Sequence, residues 1–313
     1  MPRFLVLLLT LATALSAQLP TREVQVLLAL GAPGSNEYAP LFQAQVTAWK
    51  QACEKAGLTL QIIGQDTPAK DAPSDLAQLT TALQQACTKS TGQLWLVLIG
   101  HGTFDGREAK FNLRGPDLSA RQLAEELKPL TQELILIHTA SASAGFLPPL
   151  IGKNRVLISA TKGPDEVFYT RFGEHFAPAI AGLPEADLDQ DRQVSLLEAF
   201  LHASHQTAEF YEKEGRLATE HALLEDNADG QGTRAEAFVG VQAQSPQSDG
   251  ARAAQIALVL TEEEQKLTEA QRLKRDTLER ALEALKTQRE KLGEDRYYTD
   301  LEKLLRELAE VYR

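Results

Sequence analysis

Leu94-Trp95-Leu96-Val97-Leu98-Ile99-Gly100-His101-Gly102 and Leu134-Ile135-Leu136-Ile137-His138-Thr139-Ala140-Ser141-Ala142-Ser143-Ala144-Gly145 decide the fold. Each opens as an unbroken apolar run of strand length and ends abruptly in small and polar residues. A strand with one wet face alternates apolar and polar side chains, whereas a strand buried on both faces does not alternate. Such strands belong to a parallel sheet covered by helices on two sides. Working outward, residues 24–30, 58–63 and 156–160 have the same texture. Between the runs, apolar residues recur at helical spacing over 40–56, 74–89 and 120–127. The expected fold is α/β, a mostly parallel sheet with helices on both faces. In such sheets the functional crevice lies at the carboxyl ends of the strands.

Both quoted runs end at that crevice. His101 sits between two glycines, and Ser141 lies in a run of small residues. A histidine beside a hydroxyl is the arrangement of a base and its nucleophile. Glycines let backbone N–H groups approach a developing oxyanion. The plain alternative makes His101 a turn residue and the Ser–Ala run a packing loop.

The stretch from Leu96 to Gly102 resembles the histidine strand of the caspase, legumain and metacaspase group of cysteine peptidases, the clan CD fold. In that group a second apolar strand ends in an acidic residue, then Ala-Cys, one residue, and Ser-Gly or similar. Here the corresponding residues are Thr139-Ala140-Ser141-Ala142-Ser143-Ala144-Gly145. The resemblance, over about residues 24–240, matches the catalytic histidine with His101 and the nucleophile with Ser141. It also matches Ser159-Ala160-Thr161 with segments that help form the specificity pocket. The departure is chemical. A thiol ionises readily near neutral pH, but a serine hydroxyl needs an oriented base, usually with a carboxylate behind it. Thr139 stands where the group has its acidic residue. The resemblance therefore implies a degenerate dyad, a pseudo-peptidase that binds peptide or protein. The rivals are a serine-variant endopeptidase using Ser141 and His101, with Ser143 as a lesser nucleophile, and a structural protein assembling through its C-terminal helices.

Asp187-Leu-Asp189-Gln-Asp191-Arg192-Gln193-Val194-Ser195-Leu-Leu-Glu198 places oxygen ligands in the register of an EF-hand loop. Arg192 occupies the position normally held by glycine. A weaker candidate offers Glu225, Asn227, Asp229, Gln231 and Glu236, with Gly230 correctly placed. Calcium is the expected ion. The alternative for both is a solvated acidic loop. His202 and His205, three apart on a helix, lack a third ligand for zinc, and Gly31-Ala-Pro-Gly34 lacks the lysine of a phosphate loop.

A short basic start, an apolar run from Phe4 to Leu9 and small residues to Ala17 read as a signal peptide over 1–17, which implies a secreted or periplasmic protein. No membrane contact is expected after cleavage. The formal net charge of −11 repels phosphate backbones, so nucleic acid is an unsuitable partner. Cys53 and Cys87 lie on the apolar stripes of two helices expected on opposite faces of the sheet. Cα atoms more than about 7 Å apart cannot be bridged, so both are expected to be free thiols. The domain itself spans 18–240. Helices are expected over 168–181 and 195–224, then a linker over 241–255. Beyond it lies an αα-hairpin over 256–313, its first helix capped by Thr261 and Glu264 and running to about Lys291. Leu267, Leu278, Leu282 and Leu285 share one stripe, and Leu301, Leu304, Leu305, Leu308 and Tyr312 the other. Self-association through these helices is the expected role if the hairpin is not packed on its own domain.

Overall fold

The computed structural model describes residues 23–67 and 69–313; the expected signal peptide lies outside them. In chain order these form β1 (Val24–Leu30), α1 (Tyr38–Lys55), β2 (Leu60–Ile63), α2 (Asp75–Ala86) and β3 (Gln93–Ile99). A small antiparallel sheet follows, made of β4 (Gly102–Phe104), β5 (Ala109–Phe111) and β6 (Leu118–Ser119). Next come α3 (Ala120–Glu126), β7 (Glu133–His138), α4 (Leu147–Leu150), β8 (Arg155–Ser159), α5 (Phe172–Ile180), α6 (Leu196–Lys213) and β9 (Leu223–Glu225). The ribbon β10 (Phe238–Val239) and β11 (Gln242–Ala243) precedes four helices, α7 (Glu262–Lys266), α8 (Glu269–Thr287), α9 (Arg289–Leu292) and α10 (Glu294–Val311).

The main sheet has the order β2-β1-β3-β7-β8-β9, parallel except for β9. Its faces divide by side-chain type. Val26, Leu28, Trp95, Val97, Ile99, Ile135, Ile137, Val156 and Ile158 pack under α1, α5 and α6. Leu27, Leu94, Leu96, Leu98, Leu134, Leu136 and Leu157 pack under α2, α3 and α4. β-Branched residues fit the pleated face, and leucines fill the opposite side. Fully burying each such side chain contributes about 1.5–3 kcal/mol before chain entropy offsets it. Cys53 lies in the first layer and α2, which Cys87 ends, borders the second; both thiols are free. Burial pushes Cys53 up to about 11.

Three expected spans end elsewhere. The helix from Ser195 stops at Lys213, because Gly215 takes φ +62 and the Arg216 N–H closes back on the Tyr211 carbonyl. The chain then returns as β9, which begins inside the span expected as helix. The first C-terminal helix breaks at Leu267, where Thr268 and Gln271 form a capping box; at Thr261 only the hydroxyl's half of the expected box forms, because the Glu264 carboxylate pairs with Arg275 and Tyr312. The expected linker over 241–255 carries buried Asp249 and Ala253 and packs against the domain. The αα-hairpin itself is present: Leu278 and Val311 are buried between α8 and α10, with Leu304 and Leu308 against them. Among the described residues no helix is long and apolar enough to cross a membrane.

Candidate functional site

β3 and β7 are hydrogen-bonded neighbours, so the segments after Ile99 and His138 emerge side by side at the carboxyl edge of the sheet. The sheet topology thus brings His101 and Ser141 to one rim. Their side chains nevertheless bond elsewhere. The His101 Nε2 lies 3.2 Å from the Pro33 carbonyl oxygen. A carbonyl only accepts, so Nε2 carries the hydrogen and Nδ1 holds the lone pair. The ring packs against Tyr38, Phe42 and Tyr169, with centroids 4.6, 5.1 and 6.0 Å away. Burial lowers its pKa, opposed by the Pro33 carbonyl. The Gly31–Gly34 turn therefore serves as the cover of the imidazole.

Ser141 is buried. Its Oγ donates to the Gly102 carbonyl and accepts the Gly102 N–H, each at 3.0 Å. A Cβ on Gly102 would strike the Ser141 carbonyl oxygen, so only glycine allows this approach. Ala142 follows at φ +56, a left-handed conformation that costs a non-glycine residue about 1–3 kcal/mol. Its N–H donates to the Glu166 carbonyl at 2.8 Å. Ser143, the lesser nucleophile, is buried and bonded to Thr161, Oγ to Oγ1 at 3.1 Å. Thr139 donates to the Leu98 carbonyl at 3.1 Å. The hydroxyls of Thr139, Ser141 and Ser143 and the Ala142 N–H are thus occupied by the fold. Beside it, Val167 and Phe168 are 46% and 66% exposed, which makes an apolar lip next to Tyr169.

The acidic loops lie at the other pole. Both line one cleft of about 1390 Å³ with Gln93 and Glu133, the first residues of β3 and β7. Their backbones match position for position. Gln190 and Arg192 in the first, and Ala228 and Gly230 in the second, all have positive φ, from +63 to +81. Asp189 accepts the Asp191 N–H and Asp191 the Gln193 N–H, just as Asn227 accepts from Asp229 and Asp229 from Gln231. Arg192 thus adopts, as a non-glycine residue, the turn for which the register prefers glycine.

In the first loop, carboxylate oxygens of Asp187, Asp189 and Asp191 lie within 4.8 Å of one another. Oxygens around one calcium at 2.3–2.6 Å fall within about 5 Å of each other, so the spacing fits. Glu198 stands behind, its oxygens taking the Leu188 and Asp189 N–H groups and both donors of Ser195. Gln193 turns away to accept the Thr261 N–H at 3.1 Å. In the second loop the cluster is Glu225, Asp229 and Asp249. Glu236 does not join it; that residue is exposed and paired with Arg234 at 2.5 Å. Asp249 takes the Asp226 and Asn227 N–H groups at 2.7 and 3.1 Å, the role Glu198 plays in the first loop. No local spacing in the sequence marked Asp249, because it arrives from beyond the β10–β11 ribbon. Burial, and then neighbouring negative charge, pushes the carboxyls of Asp189 and Glu225 up. Burial also raises those of Glu198 and Asp249. His202 and His205 belong to no metal-sized cluster among the described residues.

No family model matches the sequence, and no curated protein matches it. Solved structures do align with the fold. They are caspases. Caspase-1 from Spodoptera frugiperda aligns with 66% of this chain and 86% of its own, at 6% identity and a TM-score of 0.43. The Drosophila initiator caspase Dronc aligns with 69% of this chain and 84% of its own, at 11% identity and a TM-score of 0.41.

Proposed function

We propose that this chain is an exported, caspase- or legumain-like pseudo-peptidase that binds peptide or protein at the carboxyl edge of its sheet and calcium at the opposite pole. The pair of hydrogen bonds between the Ser141 Oγ and the Gly102 backbone carries this reading. A nucleophile must offer its lone pair to a carbonyl carbon and its proton to a base. Here the hydroxyl donates its hydrogen bond to the Gly102 carbonyl and not to His101, whose Nε2 donates to Pro33 and leaves Nδ1 as the basic nitrogen. The Gly102 and Ala142 N–H groups, which could have faced an oxyanion, are also bonded. The exposed Val167 and Phe168 beside Tyr169 and Tyr38 supply an apolar lip for an extended peptide. The test is fluorescence titration of an immobilised peptide library: binding that weakens about tenfold or more in Phe168→Ala supports the reading, and equal binding by both proteins overturns it.

Asp187, Asp189 and Asp191 would hold one calcium ion and Glu225, Asp229 and Asp249 a second, relieving the repulsion between their carboxylates. Asn227 and Gln231 belong to the same turns. Export rests on the basic, apolar and small-residue pattern of 1–17. Exposed Leu273 and Leu305 on the hairpin favour a second reading, self-association through α8 and α10. Loss of a higher solution mass on deleting the residues after Gly250 would support it.

A further inference from the structure

Glu166 and His221 form a carboxylate–imidazole pair that the proposed function leaves unused. Glu166 lies in the turn after β8, and His221 lies two residues before β9. The His221 Nδ1 is 2.5 Å from Glu166 Oε1, and the His221 backbone N–H donates to Oε2 at 3.1 Å. Both carboxylate oxygens therefore grip one residue and set the direction of its ring. Glu166 is fixed in turn. It accepts the Lys162 N–H at 2.9 Å, and its carbonyl takes the Ala142 N–H at 2.8 Å. An ionised carboxylate only accepts, so the neutral ring carries its hydrogen on Nδ1 and its lone pair on Nε2.

That lone pair is open. Among the described residues Nε2 has no hydrogen-bond partner, and it is not among the sealed polar atoms, so solvent reaches it. His221 lines a cavity of about 660 Å³ together with Ala160, Phe172, Leu201, Tyr211 and Ala222. Cavities of about 300–1,000 Å³ hold small organic ligands, and this one combines apolar surface with titratable groups, among them His202, Glu220 and Arg234. A carboxylate-held imidazole with a free nitrogen, on a residue that lines such a cavity, is the arrangement of a general base. His101 differs in its orientation: its Nε2 donates to the Pro33 backbone carbonyl, and no carboxylate holds the ring.

We infer that His221, positioned by Glu166, is a general base for the attack of water on the ester of a short apolar acyl group seated in this cavity. Water gives a proton to Nε2 while its oxygen bonds to the acyl carbon. The bond from that carbon to the alcohol oxygen then breaks, and the proton on Nε2 passes to the departing alkoxide. Glu166 stabilises the imidazolium between the two transfers. The products are the acid and the alcohol, and no other reactant is consumed.

The experiment is hydrolysis of p-nitrophenyl butyrate by the purified full chain. His221→Gln is expected to lower kcat/KM about 100-fold, the usual scale of general-base catalysis, leaving the background of the remaining histidines. Glu166→Gln, which also loses backbone bonds and so melts at a lower temperature, is expected to lower kcat about tenfold or more at unchanged KM. A merely structural role would lower the melting temperature and leave kcat of the folded protein unchanged. A wild-type rate equal to that of His221→Gln overturns the inference, as does a Glu166→Gln effect confined to KM. If His221→Gln fails to fold, carbethoxylation of His221 in the intact protein decides: butyrate is expected to protect it, and labelling unchanged by butyrate overturns the inference.

Discussion

His138 closes β7, three residues before Ser141, and it is fully buried between Phe111 and Phe146, with ring centroids 5.5 and 4.5 Å away. Its Nε2 has no hydrogen-bond partner. Burial drives its pKa from 6.5 down to about 3. The native imidazole therefore stays neutral over a range in which the unfolded chain takes up a proton. The contribution to stability is complete above pH 6.5 and is lost as pH falls from there toward 3. Each unit is worth about 1.4 kcal/mol, so the loss between pH 7 and pH 4.5 is about 2.5 kcal/mol. A leucine side chain in place of the imidazole has similar volume and no proton to bind. The assay is urea unfolding of wild type and His138→Leu at both pH values. Other titrating groups cancel in the difference, and the variant is expected to gain about 2.5 kcal/mol on wild type between pH 7 and pH 4.5. A difference that stays constant with pH, or one that moves toward wild type in acid, would refute the reasoning.

Gly102→Ala should lower stability by about 1–3 kcal/mol in thermal melts, because the new methyl meets the Ser141 carbonyl; an unchanged melt would contradict the proposed clip. In calorimetric titration Asp249→Asn should remove one of two calcium-binding events while Glu236→Gln leaves both; the reverse pattern would restore the ligand set expected from the loop register. Calcium at about 100 times its Kd should stabilise the fold by about 2.7 kcal/mol per site, read as a melting temperature that falls on adding EDTA. Burial lifts the Glu220 carboxyl to about 7, against an ordinary 4.5, so the native state keeps a proton that the unfolded chain loses. Stability from this residue declines as pH rises from 4.5 to 7, and Glu220→Gln should flatten that decline in urea unfolding.

The sheet was legible because burial on both faces leaves unbroken apolar runs, and 94–99 and 134–137 are such runs. The small sheet of β4, β5 and β6 was not, since strands of three, three and two residues are too short for a period to show. β9 was hidden for the same reason, and its position depends on pairing with β8. At the site, residue types were readable but their partners were not. Nothing near Ser141 in the sequence indicates that its hydroxyl closes on Gly102, 39 positions away. The carboxylate cluster of the first acidic loop was visible because its three aspartates share one turn. The second was completed by Asp249, brought back by the chain beyond the ribbon. Glu166 and His221 meet across 55 positions, with no motif at either end.

The central claim is that Ser141 is a structural clip and not a nucleophile. Its most direct test is cleavage of a fluorogenic peptide library by the full chain, with calcium added, compared with Ser141→Ala. The account predicts no peptide cleavage by wild type. Cleavage that disappears in Ser141→Ala would contradict it and establish the serine endopeptidase instead.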